Sequence, residues 1–377
     1  MKRFKQIEAD EVQIGKNVSI GENSIIKADK VIIGDDVKIA DNVIITCDEL
    51  DIGNNSSIGP NSSILAPIIK MDEKCRIGNT FSASLNQYFK MGNFSAIGHR
   101  VTLAGQGFEC GELLWLKNDV ILGGGGSQGP DSFLIIGDRS SIFDRSYVNL
   151  SERVEIGNDC ALSYNVVLLT HGAWQPALDG FSTSFGPISI GDNSVVYLNS
   201  VVMPGASIGN NCTVGANATV MTDVPDNSLA VGSPARIAKS SGYPRSLTTE
   251  DTQKLILNVL QDYFKTLPSK GAIIDKTFDA ITGYGRLSFE NLNYTIAFIS
   301  DNFTSLNSPQ SITLGMGLFS ESDTHFNIKN MNMSGKSTPI AEDLRDYMRR
   351  RAIKFFNGQP FKSLPLSNIQ RLRQKRA

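Results

Sequence analysis

The stretch from Ile190 to Pro225 reads IGDNSVVYLNSVVMPGASIGNNCTVGANATVMTDVP. Aliphatic residues recur in it at every sixth position, namely Ile190, Val196, Val202, Ile208, Val214 and Val220. A period of six fits neither a helix nor the simple alternation of an ordinary strand. It is typical of a β-solenoid, in which each hexapeptide forms a short strand and a turn, with its aliphatic side chain pointing inward. The glycine, asparagine and aspartate residues between these positions suit the corners.

The same spacing begins near the N-terminus. Sets of three aliphatic positions are joined by a step of seven: Ile14, Ile20 and Ile26, then Ile33, Ile39 and Ile45, then Ile52, Ile58 and Ile64. Sets of three predict a three-sided prism with one extra corner residue in each coil. The pattern blurs between about residues 80 and 135, where aromatic residues and the glycine run Gly123–Gly126 predict a loop excursion or distorted coils. It ends near residue 240.

Composition limits the classes of function. The chain has 377 residues and a net charge of −2, which gives no nucleic-acid signature. It has no apolar run long enough to span a membrane, and the N-terminal MKRFKQIEAD lacks the apolar region of a signal peptide, so a cytoplasmic location is expected. Five scattered cysteines without a CxxC pair predict neither a disulfide framework nor a zinc site. Cys75, Cys160 and Cys212 are expected to be reduced and to pack in the core.

The repeat is interrupted by a loop that begins at Thr170 and His171 and ends at Pro187. This loop, the repeats around it, and the closing TDVP (222–225) and GSPAR (232–236) resemble the hexapeptide acetyltransferases, in particular the galactoside, maltose and xenobiotic branch. The resemblance implies a left-handed parallel β-helix over residues 1–240, with 170–187 as an external loop. It also implies acetyl-CoA as the co-substrate and a homotrimer whose sites are shared between neighbouring subunits. No metal is expected, because the three histidines of the chain lack the clustering by which the related gamma carbonic anhydrases hold zinc.

His171, at the start of this loop, is the candidate general base. An imidazole ionises near neutral pH, so it can take a proton from a hydroxyl or an amine that attacks a thioester. The resemblance implies direct attack from a ternary complex. The alternative is a loop histidine bonded to nearby backbone. His99 is a rival base, but its hexapeptide corner position favours a solvent-facing residue.

Asp144 lies near the position where sugar acetyltransferases carry an asparagine that contacts the acceptor, and the alternative for Asp144 is an exposed corner residue.

The resemblance also assigns residues to the cofactor. Ala216 matches a small residue beside the pantetheine arm, and Thr222, Pro225 and Arg236 match the tail that contacts the adenine and the phosphates. Arg236 suits a phosphate because its charge is permanent and its donors form a fixed fork. The alternative for Ala216 and Pro225 is a place at a corner or in the core, and the alternative for Arg236 is a solvated charge. The chain departs from the family at Tyr197, where a glycine is usual, which leaves the shape of the groove and the length of the acyl donor open.

Trp174 and Phe185 are the candidate residues for binding the acceptor. Both are aromatic residues of the loop, and an aromatic plane packs well against the C–H face of a sugar ring. The alternative is that they pin the loop to a neighbouring subunit.

Residues 245–377 carry no period of six and are expected to form an α+β domain of unknown role. Thr248 and Asp251 predict a capping box at the start of a helix. Four strands are expected in FDAITGYGRLSF, NYTIAFIS, SITLGMGLFS and THFNIKNMNM, followed by a second helix from Thr338 to about Phe356. The last 29 residues hold nine Lys or Arg and no acid, which is typical of a solvated tail but would also allow weak attraction to an anionic membrane surface.

Together these features predict an acyltransferase that moves an acetyl group from acetyl-CoA to a hydroxyl, or less readily an amine, of a sugar or polysaccharide-related acceptor. Two alternatives remain open. One is a non-catalytic β-helix scaffold or binding protein, and the other is a bifunctional protein whose C-terminal domain has an unrelated activity.

Overall fold

The computed structural model describes residues 6–125, 129–299, 310–317 and 322–367. The chain divides into two compact units, Met1–Ser246 and Leu247–Ala377. The first unit is a three-sided parallel β-helix and the second is a small α+β unit, which confirms the predicted fold class.

Each coil of the β-helix contributes one short strand to each of three faces. Strands on face one are Ile7–Glu8, Ile25–Lys27, Ile44–Thr46, Ser63–Leu65, Ile121–Gly123, Tyr147–Asn149, Val167–Leu168, Val201–Val202 and Thr219–Val220. Strands on face two are Glu11–Ile14, Lys30–Ile33, Glu49–Ile52, Ile68–Met71, Phe133–Ile136, Val154–Ile156, Ile188–Ile190 and Ser207–Ile208. Strands on face three are Ser19–Ile20, Lys38–Ile39, Ser57–Ile58, Arg76–Ile77, Ala96–Ile97, Trp115–Leu116, Ser141–Ile142, Ala161–Leu162, Val195–Val196, Thr213–Val214 and Leu229–Val231. The strand Arg236–Lys239 closes face three by antiparallel pairing.

The hexapeptide positions form the core, as the sequence predicts. Every aliphatic residue of the Ile190–Val220 series is buried. Ile26 aligns with Ile45, and Ile45 aligns with Ile64, so equivalent residues of successive coils stack directly. The corners hold asparagine in the left-handed conformation, such as Asn42 with φ 57°, which asparagine adopts more readily than most residues. The Nδ2 of Asn42 donates to the Oδ1 of Asn61, 19 residues further on, and the same pairing ties other coils together.

The coils continue through the segment around residues 80–135. Two long strands, Ser82–Met91 and Thr102–Cys110, each cross from face one to face two, with a register shift between Leu85 and Tyr88. Phe81, Phe89 and Phe108 are buried in this part of the prism, and their ring centroids lie 5.7 and 5.4 Å apart. The period blurs in the sequence because phenylalanine fills the interior, with small residues such as Ala83 beside it, while the two strands stay paired in parallel on both sides of the register shift.

Two insertions leave the solenoid at the same corner, between face one and face two. One falls between the strands Ile121–Gly123 and Phe133–Ile136, and it includes residues 126–128, which lie outside the described part of the chain. The other falls between Val167–Leu168 and Ile188–Ile190. The coil between them turns this corner from Asn149 to Arg153 without an insertion. Both insertions therefore flank a single corner.

The described residues of the second unit form two helices and a six-stranded sheet. Helix α1 spans Thr249–Thr266, and the capping box between Thr248 and Asp251 is confirmed. Helix α2 spans Pro339–Arg349. The strands, in their order across the sheet, are Ile273–Asp279, Tyr284–Phe289, Leu292–Ile299, Ser311–Gly315, Thr324–Asn327 and Asn332–Gly335. Their pairing is antiparallel except on both sides of Ser311–Gly315.

The predictions for this unit need two corrections. Six strands replace the expected four, because the two outer predicted strands each turn back on themselves as hairpins. Helix α2 ends at Arg349 and does not continue to about Phe356. The chain stops the helix at Ala352, which has a left-handed φ of 59°, while the amide of Ile353 donates back to the carbonyl of Met348 at 3.0 Å.

All five cysteines are free and buried, which confirms the packing role predicted for Cys75, Cys160 and Cys212. Burial raises the pKa of the Cys110 thiol to about 12. Within the described ranges, no group of three or more His, Cys, Asp or Glu side chains has a metal-binding arrangement. No helix in the same ranges has the length and hydropathy needed to cross a bilayer.

Candidate active site

The loop that interrupts the repeat begins as a short hairpin. His171–Gly172 pairs with Ser184–Phe185 in antiparallel register, with His171 opposite Phe185. The amide of Gly186 donates to the carbonyl of Thr170 at 3.0 Å and closes the root of the loop. Because the root is a hairpin fixed to a rigid coil, His171 has a defined position although the loop beyond it is exposed.

His171 is held by two side chains from the neighbouring coil. Its Nδ1 lies 2.8 Å from the Oδ1 of Asn149 and 2.9 Å from the Oγ of Ser151. Asn149 and Ser151 belong to the corner that lies between the two insertions. Asn149 is completely buried, whereas His171 is partly exposed. The imidazole is therefore held from its buried side by polar side chains, while part of the ring is open to solvent.

The orientation of the Asn149 amide follows from its other contacts. Its Nδ2 lies 3.2 Å from the carbonyl oxygen of Gly125, which can only accept a hydrogen bond. Its Oδ1 lies 2.6 Å from the hydroxyl of Thr170 and 3.3 Å from the amide of Ser151. A flipped amide would place NH₂ against these donors, so the Oδ1 must face His171.

This orientation fixes the tautomer of His171. The Oδ1 of Asn149 has no proton, so the Nδ1 of a neutral imidazole must carry the hydrogen that joins them. The Ser151 hydroxyl agrees with this arrangement, because it donates to the carbonyl of Gly125 at 2.7 Å and offers a lone pair to Nδ1. The Nε2 of the neutral ring is therefore an unprotonated acceptor. Within the described ranges Nε2 has no hydrogen-bond partner.

The glycine run supplies the carbonyl groups that hold this corner. Gly123 and Gly124 have φ values of 129° and 94°, which side-chain-bearing residues rarely adopt. A Cβ at Gly124 would lie 2.2 Å from the hydroxyl oxygen of Tyr147. The run therefore lets the backbone pass close to the coil and aim the Gly125 carbonyl at Asn149 and Ser151. Gly126 lies outside the described residues.

Two aromatic rings flank His171. The Phe185 ring centroid lies 5.8 Å from that of His171, and the Trp174 centroid lies 6.4 Å away, with interplanar angles of 24° and 30°. Trp174 is 90% exposed and Phe185 is 58% exposed. Both predicted acceptor residues thus lie beside the predicted base and present apolar surface to solvent.

The predicted cofactor residues lie on the exposed surface of the last coils. Ala216, Thr222, Pro225 and Arg236 are all exposed. Pro225 lines a cavity of about 720 Å³ whose other lining residues include Glu155, Asp223 and Asp226. This acidic lining is unsuited to CoA phosphates. Arg236 lies on the closing strand, where its Nη1 donates to the carbonyl of Ala235 at 3.0 Å.

The structure does not bring Asp144 to His171. The Oδ1 of Asp144 accepts a hydrogen bond from the Nδ2 of Asn118 at 3.0 Å, which is the corner-to-corner contact that recurs along the solenoid. His99 occupies a similar corner, where its Nδ1 accepts from the amide of Asn79 at 2.9 Å. The residue whose side chain contacts the Nδ1 of His171 is Asn149, five positions after Asp144 in the sequence.

The third histidine, His325, belongs to the second unit and is fully bonded. Its Nδ1 lies 2.8 Å from the Thr313 hydroxyl, and its Nε2 donates to the carbonyl of Gly317 at 2.6 Å. Burial lowers its pKa. This residue is part of the packing of the sheet.

Comparison with known proteins places the first unit in a family. Residues 187–221 match the model described as bacterial transferase hexapeptide (six repeats), and residues 11–47 match the hexapeptide repeat of succinyl-transferase. Protein CapG of Staphylococcus aureus is 36% identical over 132 residues, which cover 33% of this chain and 72% of CapG. The chain belongs to the hexapeptide-repeat acetyltransferases.

Proteins named as acetyltransferases match over shorter stretches. Galactoside O-acetyltransferase of Escherichia coli is 35% identical over 89 residues, which cover 23% of this chain and 43% of that protein. Several curated relatives are likewise matched over less than half of their own length. A hexapeptide-repeat acetyltransferase of Vibrio cholerae, solved with acetyl coenzyme A, is 25% identical and covers 38% of this chain and 69% of its own, with a TM-score of 0.28.

Sequence reasoning missed Asn149, Ser151 and the carbonyl of Gly125. No sequence motif marks these residues, and only the positions of the two insertions indicate them. Two coils separated by one regular coil each gain extra residues at the same corner, so the intervening corner must lie between the two loops. This inference needs the register of all three coils, which the blurred repeat around residues 80–135 conceals.

Proposed function

We propose that the chain transfers an acetyl group from acetyl-CoA to a hydroxyl, or less readily an amine, of a sugar or polysaccharide-related acceptor. The observation that carries the proposal is the contact between Asn149 and the Nδ1 of His171, which leaves Nε2 as a free proton acceptor. Family membership supports the acyl transfer. The free acceptor beside an exposed aromatic surface supports a hydroxyl-bearing ring as the second substrate.

In the proposed reaction, His171 acts as the general base. Its Nε2 takes the acceptor's hydroxyl proton as the oxygen attacks the thioester carbonyl, and a new C–O bond forms. Collapse of the tetrahedral intermediate breaks the C–S bond, and the proton on Nε2 passes to the departing CoA thiolate. The Oδ1 of Asn149 stabilises the transient imidazolium because it accepts the Nδ1 proton throughout. No acyl-enzyme is required.

The aromatic residues and the last coils complete the proposal. Trp174 and Phe185 would pack against the C–H face of the acceptor ring and hold its hydroxyl near Nε2. Ala216 would contact the pantetheine arm of acetyl-CoA, Thr222 and Pro225 would contact its adenine, and Arg236, outside the acidic cavity, would pair with a phosphate. We also propose a homotrimer, which sedimentation analysis can test. A cavity of about 390 Å³ adjoins the C-terminal root of the loop and is lined by Pro187, Gly205 and Asp223 among others.

Calorimetric titration with acetyl-CoA, followed by measurement of CoA thiol release with different acceptors, tests the proposal. We expect binding of acetyl-CoA and faster thiol release with hydroxyl-bearing sugars than with matched amino sugars. Binding without any acceptor-dependent release would favour the scaffold alternative. Preference for the amino sugars would overturn the assignment of O-acetylation but not that of acyl transfer.

A further inference from the structure

A second concave surface lies on face three of the N-terminal coils. It has a volume of about 550 Å³, which lies within the range of small-molecule sites. Among the described residues, its charged or titratable lining consists of Lys38, Arg76 and His99 and includes no carboxylate. We call this surface, lined by residues of the coils from Ser19 to His99, the face-three groove.

Lys38 and Arg76 occupy the same outward column of the face. Lys38 aligns with Ser57, and Ser57 aligns with Arg76, so one coil separates the two cations. Neighbouring strands lie about 4.8 Å apart, which puts the two backbone positions about 10 Å from each other. Both side chains are long enough to meet a ligand seated over the Ser57 hydroxyl.

The two cations are available to a ligand. Lys38 and Arg76 are exposed, and neither has an ion-pair partner within the described residues. By contrast, Lys27 on face one of the same coils pairs with Glu8 at 3.3 Å. At the adjoining corner, the Oδ1 of Asp41 is engaged by the amide of Glu22 at 2.8 Å.

His99 adds a directed donor to the same lining. Its Nδ1 accepts a hydrogen bond from the amide of Asn79 at 2.9 Å, so the neutral ring carries its proton on Nε2. The groove therefore combines a guanidinium fork, an ammonium group, an imidazole N–H and a serine hydroxyl, all of which can donate hydrogen bonds. A set of donors with two fixed positive charges matches the oxygens of a phosphate ester.

We propose that the face-three groove binds a phosphorylated small molecule through a diphosphate or phosphate group. Lys38 contacts the anion from one side, Arg76 from the other, and Ser57 and His99 donate hydrogen bonds. The acetyl-transfer site stands at the corner between faces one and two, several coils away. The groove is thus a separate anion site, whose occupancy does not depend on the proposed acetyl transfer.

The experiment is a calorimetric titration of the full chain with inorganic pyrophosphate, in buffer of low ionic strength and without divalent cations. We expect one site per chain whose affinity falls about tenfold or more in Lys38→Gln and in Arg76→Gln, because each substitution removes a charge-assisted hydrogen bond. Lys27→Gln makes the same change of charge on another face and is expected to leave the affinity within about twofold.

The experiment must also distinguish the groove from the proposed CoA site, where Arg236 is proposed to pair with a phosphate of CoA. The titration is therefore repeated with Arg236→Gln and with saturating CoA, and neither is expected to weaken pyrophosphate binding. An absence of binding would overturn the proposal. So would a loss of affinity in Lys27→Gln equal to that in the groove variants, or a loss confined to Arg236→Gln. A thermal melt of each variant identifies any that fails to fold.

Discussion

Replacing Asn149 with alanine tests whether this residue positions the proposed base. The side chain is fully buried and makes contacts through both ends of its amide. The substitution removes the acceptor 2.8 Å from the Nδ1 of His171 and the donor 3.2 Å from the carbonyl of Gly125. Both losses occur in the corner that carries the histidine.

The magnitude follows from which contacts remain. The Thr170 hydroxyl still has the backbone carbonyl of Asn149 at 3.1 Å, and the Gly125 carbonyl still accepts from Ser151. Most buried groups thus keep one partner, and the expected loss in the free energy of unfolding is about 1 to 3 kcal/mol. The Nδ1 of His171 keeps its contact with the Ser151 hydroxyl at 2.9 Å. The substitution therefore weakens the preference for the proton on Nδ1 but does not abolish it. We expect kcat to fall about tenfold, less than the 10²- to 10⁴-fold typical of a lost general base.

The assay is steady-state acetyl transfer with a hydroxyl acceptor, read as CoA thiol release, together with a thermal melt. The KM for acetyl-CoA is expected to stay within about twofold, because Asn149 acts through His171 and not on the cofactor. Asn199→Ala is the matched control, since Asn199 is an exposed corner residue whose Nδ2 donates to Asn217 at 3.2 Å. A folded Asn149→Ala protein with wild-type kcat would refute the positioning role, and so would a change confined to KM.

Three further predictions concern other parts of the chain. Gly124→Ala is expected to lower the melting temperature and the transfer rate together, because its Cβ would lie 2.2 Å from the Tyr147 hydroxyl oxygen at a φ of 94°; unchanged values for both would contradict the role of the glycine run. The native protein is expected to react slowly with a thiol reagent at pH 8, because all five cysteines are buried and burial raises the pKa of the Cys110 thiol to about 12. Rapid reaction before unfolding would contradict this burial. Lys270→Met is expected to lower the free energy of unfolding of the second unit by about 3 to 5 kcal/mol, because it leaves the buried carboxylate of Asp343 without its ammonium partner at 2.7 Å. Urea unfolding measures this loss, and a value below about 1 kcal/mol would contradict a buried pair.

The solenoid could be predicted from the sequence because its cause is local and repeated. Each coil buries the same kind of side chain at the same position, so the series from Ile190 to Val220 repeats a buried aliphatic residue six times. The segment with Phe89 and Phe108 obeys the same geometry with larger side chains, and a pattern based on aliphatic residues does not detect it. The end of helix α2 was mispredicted because Ala352 adopts a left-handed conformation that its residue type does not indicate.

The site was predictable only in part. His171 stands out as a histidine at the root of a loop that a solenoid does not need. Its partner Asn149 comes from the preceding coil, 22 residues earlier, and their contact depends on how two coils stack. Asp144 lies near Asn149 in sequence but turns to the corner contacts with Asn118. The basic residues Arg371, Arg373, Lys375 and Arg376, considered for a membrane surface, lie outside the described residues, whereas Arg349 and Arg350 pair with Asp346.

The most direct test of the account is the rate of acetyl transfer by His171→Ala, measured beside its affinity for acetyl-CoA. A general base contributes about 10²- to 10⁴-fold to a rate, so we expect transfer to fall at least about 100-fold while acetyl-CoA still binds with nearly wild-type affinity. His99→Ala, which removes a corner histidine whose Nδ1 accepts a backbone amide, is expected to retain the wild-type rate. Wild-type transfer by a folded His171→Ala protein would contradict the assignment of the base.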